Sequence, residues 1–341
     1  MPQPSAQGKL AHRIMGEMSE GKTMRWILAL ALMAGLGSLG GGGAALAAEK
    51  EMARASQLAN RALLLDYAAF GGRLVAVGEF GNIIYSDDAG RSWAQAKSVP
   101  SRTTLTNVVF VNQKLGFAVG HDTAILRTED GGDTWELVYK DDSGEVPLFG
   151  TLFLDEERGL AVGAFGTIMR TENGGKTWAS DLIDDSGEDD YHLNAIFGAR
   201  DGTIYVAAEA GSIYKSTDAG KTFRLLSTDY EGSFWNGMVL DSGRVLIWGM
   251  RGNVYYSDTQ GQTWIKAQTA TDRSIMGGVQ LPNGRIVLTG LLGLILVSDD
   301  NGSSFTETVR SDRSSFAAVS RGADGRLILY GDPGVSWQDL P

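Results

Sequence analysis

The side chains that could do chemistry in this chain are carboxylates, and they recur. Ser86 to Trp93 reads S-D-D-A-G-R-S-W, and five later octapeptides repeat its pattern of Ser/Thr-x-Asp-x-Gly-x-Ser/Thr-aromatic. The third position holds Asp88, Asp130, Asp218 and Asp300, with Asn173 and Thr259 in the other two copies. The fifth holds Gly90, Gly132, Gly175, Gly220, Gly261 and Gly302, and the last Trp93, Trp135, Trp178, Phe223, Trp264 and Phe305. Carboxylates in pairs are the machinery of glycoside hydrolysis. The other catalytic side chains are scarce. There is no Cys, which excludes thiolate chemistry and disulfides, and the three histidines (His12, His121, His192) are too few for a His-rich metal site. No metal and no cofactor are expected.

The octapeptide also has a purely structural use. An Asp side chain accepts hydrogen bonds from backbone N–H groups in its own turn, and the Gly takes a conformation costly to other residues. The terminal aromatic falls at 93, 135, 178, 223, 264 and 305, so the period is 41 to 45 residues. Periods of this size mark repeat architectures, and four short strands per repeat make a propeller blade. Asn107–Val111, Gly116–Gly120, Ala124–Thr128 and Thr134–Val138 are four such runs, bounded by Gly, Asp or Asn. The octapeptide is then the turn between third and fourth strands, its aromatic returning between neighbouring sheets, where burial contributes about 2–3 kcal/mol. Asn173 keeps an acceptor oxygen, whereas Thr259 predicts a looser turn.

A second signature counts the blades. Gly78, Gly120, Gly163, Ala208, Gly249, Gly290 and Gly331 end the seven second strands, one more than the octapeptides. The expected fold is an all-β, seven-bladed propeller of four-stranded antiparallel blades, a single domain over 49–341. Its last blade is expected to be closed by an N-terminal strand from Glu49–Arg61, removing an open sheet edge. Upstream, Arg25, the apolar run Trp26–Leu39 and Ala45-Leu46-Ala47 have the form of a signal peptide, preceded by a polar extension. Residues 1–48 are therefore expected to be a leader cleaved near Ala47 or Ala48, with a periplasmic or otherwise exported product. An uncleaved anchor is the competing reading, but Gly40–Gly43 break the apolar run. The net charge of −11 disfavours nucleic acid and anionic membrane as partners.

The octapeptides occupy one face of such a ring, so a site is expected on the other, where second-to-third-strand hairpins and blade-to-blade loops lie. The hairpin pairs there vary: Glu79-Phe80, His121-Asp122, Ala164-Phe165, Glu209-Ala210, Met250-Arg251, Leu291-Leu292 and Asp332-Pro333. Variable loops on a constant frame are the usual carriers of binding. The loops segregate charge: Asp141, Asp142, Glu145, Asp184, Asp185, Glu188, Asp189, Asp190, Asp229 and Glu231 on one side, Arg102, Arg273, Arg310 and Arg313 on the other. At the start of the innermost strands the aligned residues are Thr106, Phe149, Leu193, Trp235, Met276 and Phe316, preceded by Leu105, Leu148, His192, Phe234 and Ile275, an apolar ring at the channel mouth. The partner-binding candidates are His121, Asp122, Phe149, His192, Phe234, Trp235, Arg251, Met276 and Arg273.

With the repeats aligned, Ala118–Trp135 (AVGHDTAILRTEDGGDTW) and Ala161–Trp178 (AVGAFGTIMRTENGGKTW) resemble the photosystem II stability/assembly factor family of chloroplasts and cyanobacteria, and especially its exported bacterial relatives. The similarity runs from about Leu63 to Gly334. It implies a seven-bladed propeller and a chaperone-like factor, lumenal or periplasmic, that binds a newly made membrane subunit. Some members use an Arg-rich surface patch; here Arg127 and Arg170 stand at matching third-strand positions, but Tyr85, Lys215, Tyr256 and Val297 interrupt it. The expected function is an exported, non-enzymatic, monomeric propeller binding a protein partner such as a membrane complex or transporter component, peripheral to the membrane at most. The octapeptide is shared with sialidases, so a sialidase-like glycoside hydrolase or carbohydrate-binding protein is the alternative. That chemistry needs three converging Arg and a Tyr–Glu pair; Arg127 and Arg251 are available, but no such set recurs in equivalent loops.

Overall fold

The computed structural model describes residues 51–141, 146–184 and 191–341. The expected leader (1–48) and the acidic positions Asp142, Glu145, Asp185, Glu188, Asp189 and Asp190 lie outside the described residues. Seven antiparallel sheets follow one another, each ordered from its first strand outward, six of four strands and the last of three. The first strands (Leu64–Phe70, Leu105–Phe110, Leu148–Phe153, Leu193–Gly198, Phe234–Val239, Ile275–Gln280 and Phe316–Arg321) contact their neighbours in a closed ring, the last meeting the first. Second strands such as Gly116–Gly120 and Val245–Gly249 are buried along their whole length, which is why they read as unbroken apolar runs. Outer strands are exposed, as in Ala179–Leu182.

The core is seven separate clusters, one at each blade junction. Leu64, Leu74 and Ala76 of blade one meet Ile328 and Tyr330 of blade seven. Leu160, Val162 and Ile168 of blade three meet Ile196, Ile204 and Val206 of blade four. Each octapeptide aromatic packs toward the preceding blade: Trp135 is 3% exposed beside Val75, and Phe305 is 7% exposed beside Leu246.

The octapeptide forms one turn repeatedly. In the first copy Asp88 Oδ1 accepts from Ser92 N–H (2.9 Å) and Ser86 Oγ (2.7 Å), and Oδ2 accepts from Ser92 Oγ (2.6 Å). Ser86 Oγ accepts from Gly90 N–H (2.7 Å), and the Trp93 indole donates to Gly90 O (3.0 Å). Asn173 and Thr259 rebuild the turn, Thr259 Oγ1 accepting from Thr263 N–H at 2.9 Å. The fifth turn is as tight in its bonds as the first, against the expected loosening, and differs in its aromatic: the buried Trp264 indole nitrogen finds no partner, whereas Trp93, Trp135 and Trp178 each donate to the turn glycine.

The second-strand glycines answer a steric demand. A Cβ on Gly78, Gly120, Gly249, Gly290 or Gly331 would stand 1.9–2.1 Å from the carbonyl oxygen of the residue before the first strand. That close approach accompanies a β-bulge in every first strand, for example between Leu64 and Asp66 and between Phe234 and Asn236. Blade four has Ala208, and there the bond tying hairpin to strand start, Glu209 N–H to His192 O, is the longest of its kind at 3.3 Å.

Among the described residues of the expected closing segment no strand joins the last blade. Among the described residues the seventh sheet ends at Gly334–Gln338, and Ala59–Arg61 forms a 3-10 turn. The N-terminal segment is instead a strap that runs from the junction of blades one and two across blade one to blade seven. Ala53 N–H donates to Val99 O (2.9 Å), Asn82 Nδ2 donates to Ala59 O (2.7 Å), and Asn60 lies against Gly334. Ring closure rests on side chains: Tyr67 stacks on Tyr330 at 5.0 Å, and Trp93 meets the same ring edge-on. Among the described residues no helix is long and apolar enough to cross a membrane.

Candidate functional site

The octapeptide carboxylates are committed to their turns. Hydrogen bonds from Ser92 and Ser86 hold the Asp88 carboxyl at about 2, and bonds from Thr222 and Ser216 hold Asp218 at about 2. A group fixed as an anion with its oxygens occupied is a poor general acid. Among the described residues no group of three or more His, Asp or Glu could hold a metal ion.

Cations on that face staple the blades. Arg127 Nε donates to Gly174 O (2.8 Å), Arg170 to Gly220 O, and Lys215 Nζ to Gln260 O (2.8 Å), each reaching the next blade's octapeptide. Blades one and five have Tyr85 and Tyr256 at the equivalent third-strand position. There the cation comes from the start of the second strand: Arg73 and Arg244 lie over those rings (4.4 and 4.0 Å) and donate to Gly131 O and Asn301 O. Arg285 Nη1 does the same to Pro341 O (3.1 Å). The Arg127/Arg170 pair thus holds blades together and forms no open patch.

On the opposite face, hairpins and blade-to-blade loops meet as expected: Gly81 N–H donates to Thr103 O, Gly166 N–H to Tyr191 O, and Gly211 N–H to Gly232 O. Some variable hairpin residues have structural work. Glu79 accepts from Leu63 N–H (3.1 Å), Glu209 from His192 N–H (3.0 Å) and Asp332 from Ser315 N–H (3.3 Å), fixing the starts of three first strands.

The next hairpin residue is the unusual one. Phe80, Asp122, Phe165, Ala210, Arg251 and Leu292 all adopt φ between 52° and 58°. This left-handed region costs an ordinary side chain about 1–2 kcal/mol and favours Gly, Asn or Asp. Yet three of the six are bulky apolar residues projecting into solvent: Phe80 is 62% exposed, Leu292 49% and Phe165 37%. In the sequence these tips are marked by a large apolar residue directly before Gly81, Gly166 or Gly293.

The candidates from the sequence separate. Phe234 is fully buried, because the first residue of each first strand pairs with the residue that ends the second strand and points between sheets. Leu193 and Phe316 are fully buried for the same reason. The bulge turns the following residue out, so the half-buried ring is Leu65, Thr106, Phe149, Asn194, Trp235, Met276 and Ala317. Arg273 is tied to Glu307 and Arg310 to Asp312, Trp337 O and Gln338, so the expected basic sector is largely spent inside the ring. His121 is half-buried, its Nε2 unpartnered and its pKa lowered by burial; Asp122 lies 4.0 Å from Lys140. Arg251 is exposed at a hairpin tip. His192 is brought against two rings, Phe165 at 5.0 Å and Phe149 at 6.1 Å, and its Nδ1 accepts from Phe165 N–H (3.3 Å).

The channel holds a polar chain that has no repeating signature in the sequence, since Asp66, Asn107 and Thr151 are of three different types. Asp66 Oδ2 accepts from Asn107 Nδ2 (2.6 Å) and Val108 N–H (3.0 Å), and Asn107 Oδ1 accepts from Thr151 N–H (2.8 Å), linking the first strands of blades one, two and three.

A family model described as "Photosynthesis system II assembly factor YCF48" matches residues 49–129 and 95–320. No curated protein matches the sequence. Among solved structures, one described as "YCF48 bound to D1 peptide" superposes with a TM-score of 0.65 at 18% identity, covering 82% of this chain and 94% of that one. YCF48 from Cyanidioschyzon merolae gives 0.65 at 15% identity, over 82% and 96% of the two chains. The WD40 β-propeller domain of Doa1 gives 0.64 at 14% identity, over 84% and 94%. At these identities the likeness is one of fold.

Proposed function

The chain belongs to the photosynthesis system II assembly factor YCF48 family, and on that premise we propose that it is an exported, non-enzymatic propeller that docks a protein partner of a membrane complex on its hairpin-loop face. The observation that carries the proposal is the set of exposed apolar tips, Phe80, Phe165 and Leu292, held at positive φ. A local rule broken without a packing gain is a mark of function. Exposed apolar residues on one face favour a macromolecular partner over a small polar substrate. A family relative whose solved structure is described as bound to a D1 peptide supports protein as the class of partner. Export is supported by the basic start, apolar run and small residues of Met24–Ala48.

The test is site-specific photo-crosslinking of the full chain in its host. Probes replacing Phe80 and Leu292 should capture one and the same envelope protein, while a probe at the exposed Arg91 on the octapeptide face should not. Capture from Arg91 alone, or from neither tip, would count against this face.

A further inference from the structure

Phe165, His192, Phe149 and Glu209 meet where blades three and four adjoin on the proposed docking face. The Phe165 and His192 rings stand at 87° with centroids 5.0 Å apart, and Phe149 is tilted 48° to His192. The arrangement is locked: Phe165 N–H donates to His192 Nδ1, and His192 N–H donates to Glu209 Oε2 (3.0 Å). The edge-to-face rings, with the Glu209 carboxylate bound to the main chain of His192, form a corner. Ring faces and carboxylate both favour a cation there.

At five other rings this chain lays its own cation over the aromatic face. Arg73 lies over Tyr85, Lys215 over Tyr205, Arg244 over Tyr256, Arg310 over Phe316 and Arg326 over Trp337. Among the described residues no cation lies over Phe149 or Phe165. The next blade-to-blade loop adds two exposed anions, Asp229 and Glu231, so the surroundings repel an acidic partner. Phe165 is also one of the tips kept at positive φ, so its ring is presented outward at a conformational cost.

We propose that this corner receives a lysine or arginine side chain from an extended, basic segment of the partner protein, the cation lying against Phe165 and beside Glu209. The inference rests on the docking face above and narrows it to one receptor and one chemical class.

Fluorescence anisotropy with the full chain and a labelled Gly-Ser-Lys-Leu-Lys-Ser-Gly peptide tests it, against the same peptide with Glu for Lys. The Lys peptide should bind at least about tenfold tighter, weakening with salt. Phe165→Leu keeps apolar bulk but removes the ring face and should weaken binding about three- to fivefold. Glu209→Gln, which still accepts from His192 N–H, should weaken it comparably, and Arg91→Gln on the octapeptide face should leave it unchanged. Equal binding of the two peptides, or an unchanged affinity in Phe165→Leu, overturns the proposal. Partner crosslinking at Phe80 and Leu292 alongside either of those results would leave the docking face standing without this corner.

Discussion

Asp66 and Asn107 join the innermost strands of adjacent blades through a 2.6 Å hydrogen bond, with the Asp carboxyl set deep in the channel wall. Desolvation pushes the Asp66 pKa up to about 7, against the opposing bonds from Val108, Tyr67 and Asn107. The folded chain therefore holds this proton more tightly than the unfolded chain, where an Asp titrates near 4. The stabilisation is fully present below pH 4 and is lost as pH rises through 7. Stability should fall between pH 5 and 8 by at least about 1 kcal/mol, and Asp66→Asn should flatten that fall. Urea titrations of both proteins at the two pH values check it; parallel slopes would refute the assignment.

The exposed tips make an inverse prediction for stability. Phe80→Asn and Leu292→Asn place a residue tolerant of positive φ where a bulky one sits in solvent, and should raise stability by about 0.5–1 kcal/mol each. The same variants should lose partner capture. A melting temperature that drops in both would show that the tips serve packing.

Arg244 bonds Asp258 through two nitrogens (2.7 and 2.8 Å), reaches Asn301 O and Ser303 of the next blade, and lies over Tyr256. Arg244→Ala should cost about 1.5–3 kcal/mol, because it leaves the neighbouring turn's carbonyl without its charged donor. Arg244→Lys should recover less than half of that, since an ammonium cannot span both partners. Chemical denaturation of the three proteins compares them.

Two glycines separate steric demand from backbone demand. Gly290→Ala would drive a Cβ to 2.1 Å from Ser274 O, which needs main-chain movement and should cost about 3 kcal/mol or more. Gly284 has open space around it but φ of +85°, so Gly284→Ala should cost only about 1–2 kcal/mol. Thermal melts of the pair should keep that order.

The fifth octapeptide offers a gain. Thr259 supplies one hydroxyl oxygen where Asp88 supplies two carboxylate oxygens. Thr259→Asp should stabilise by about 0.5–1 kcal/mol, read as a raised urea midpoint.

The seven-fold ring was legible in the sequence because its determinants are local. A turn that needs an acceptor, a left-handed glycine and a returning aromatic writes the same letters each time, and the second-strand glycine records one close backbone approach per blade. Which side chains stay exposed on the hairpin-loop face was not local. A bulge in each first strand shifts the side-chain direction by one residue, and that shift buried Phe234 while leaving Trp235 half-exposed. Cations that look like a surface patch in the sequence are spent across blade junctions, because a neighbour some 45 residues away supplies the carbonyl they hold, as Gly174 does for Arg127. The N-terminal strap likewise has no pattern of its own: Asn82 and Val99 decide its path, and only the closed ring brings Gly334 beside it. Local turn chemistry chose the architecture; contacts between distant blades chose which residues were left exposed.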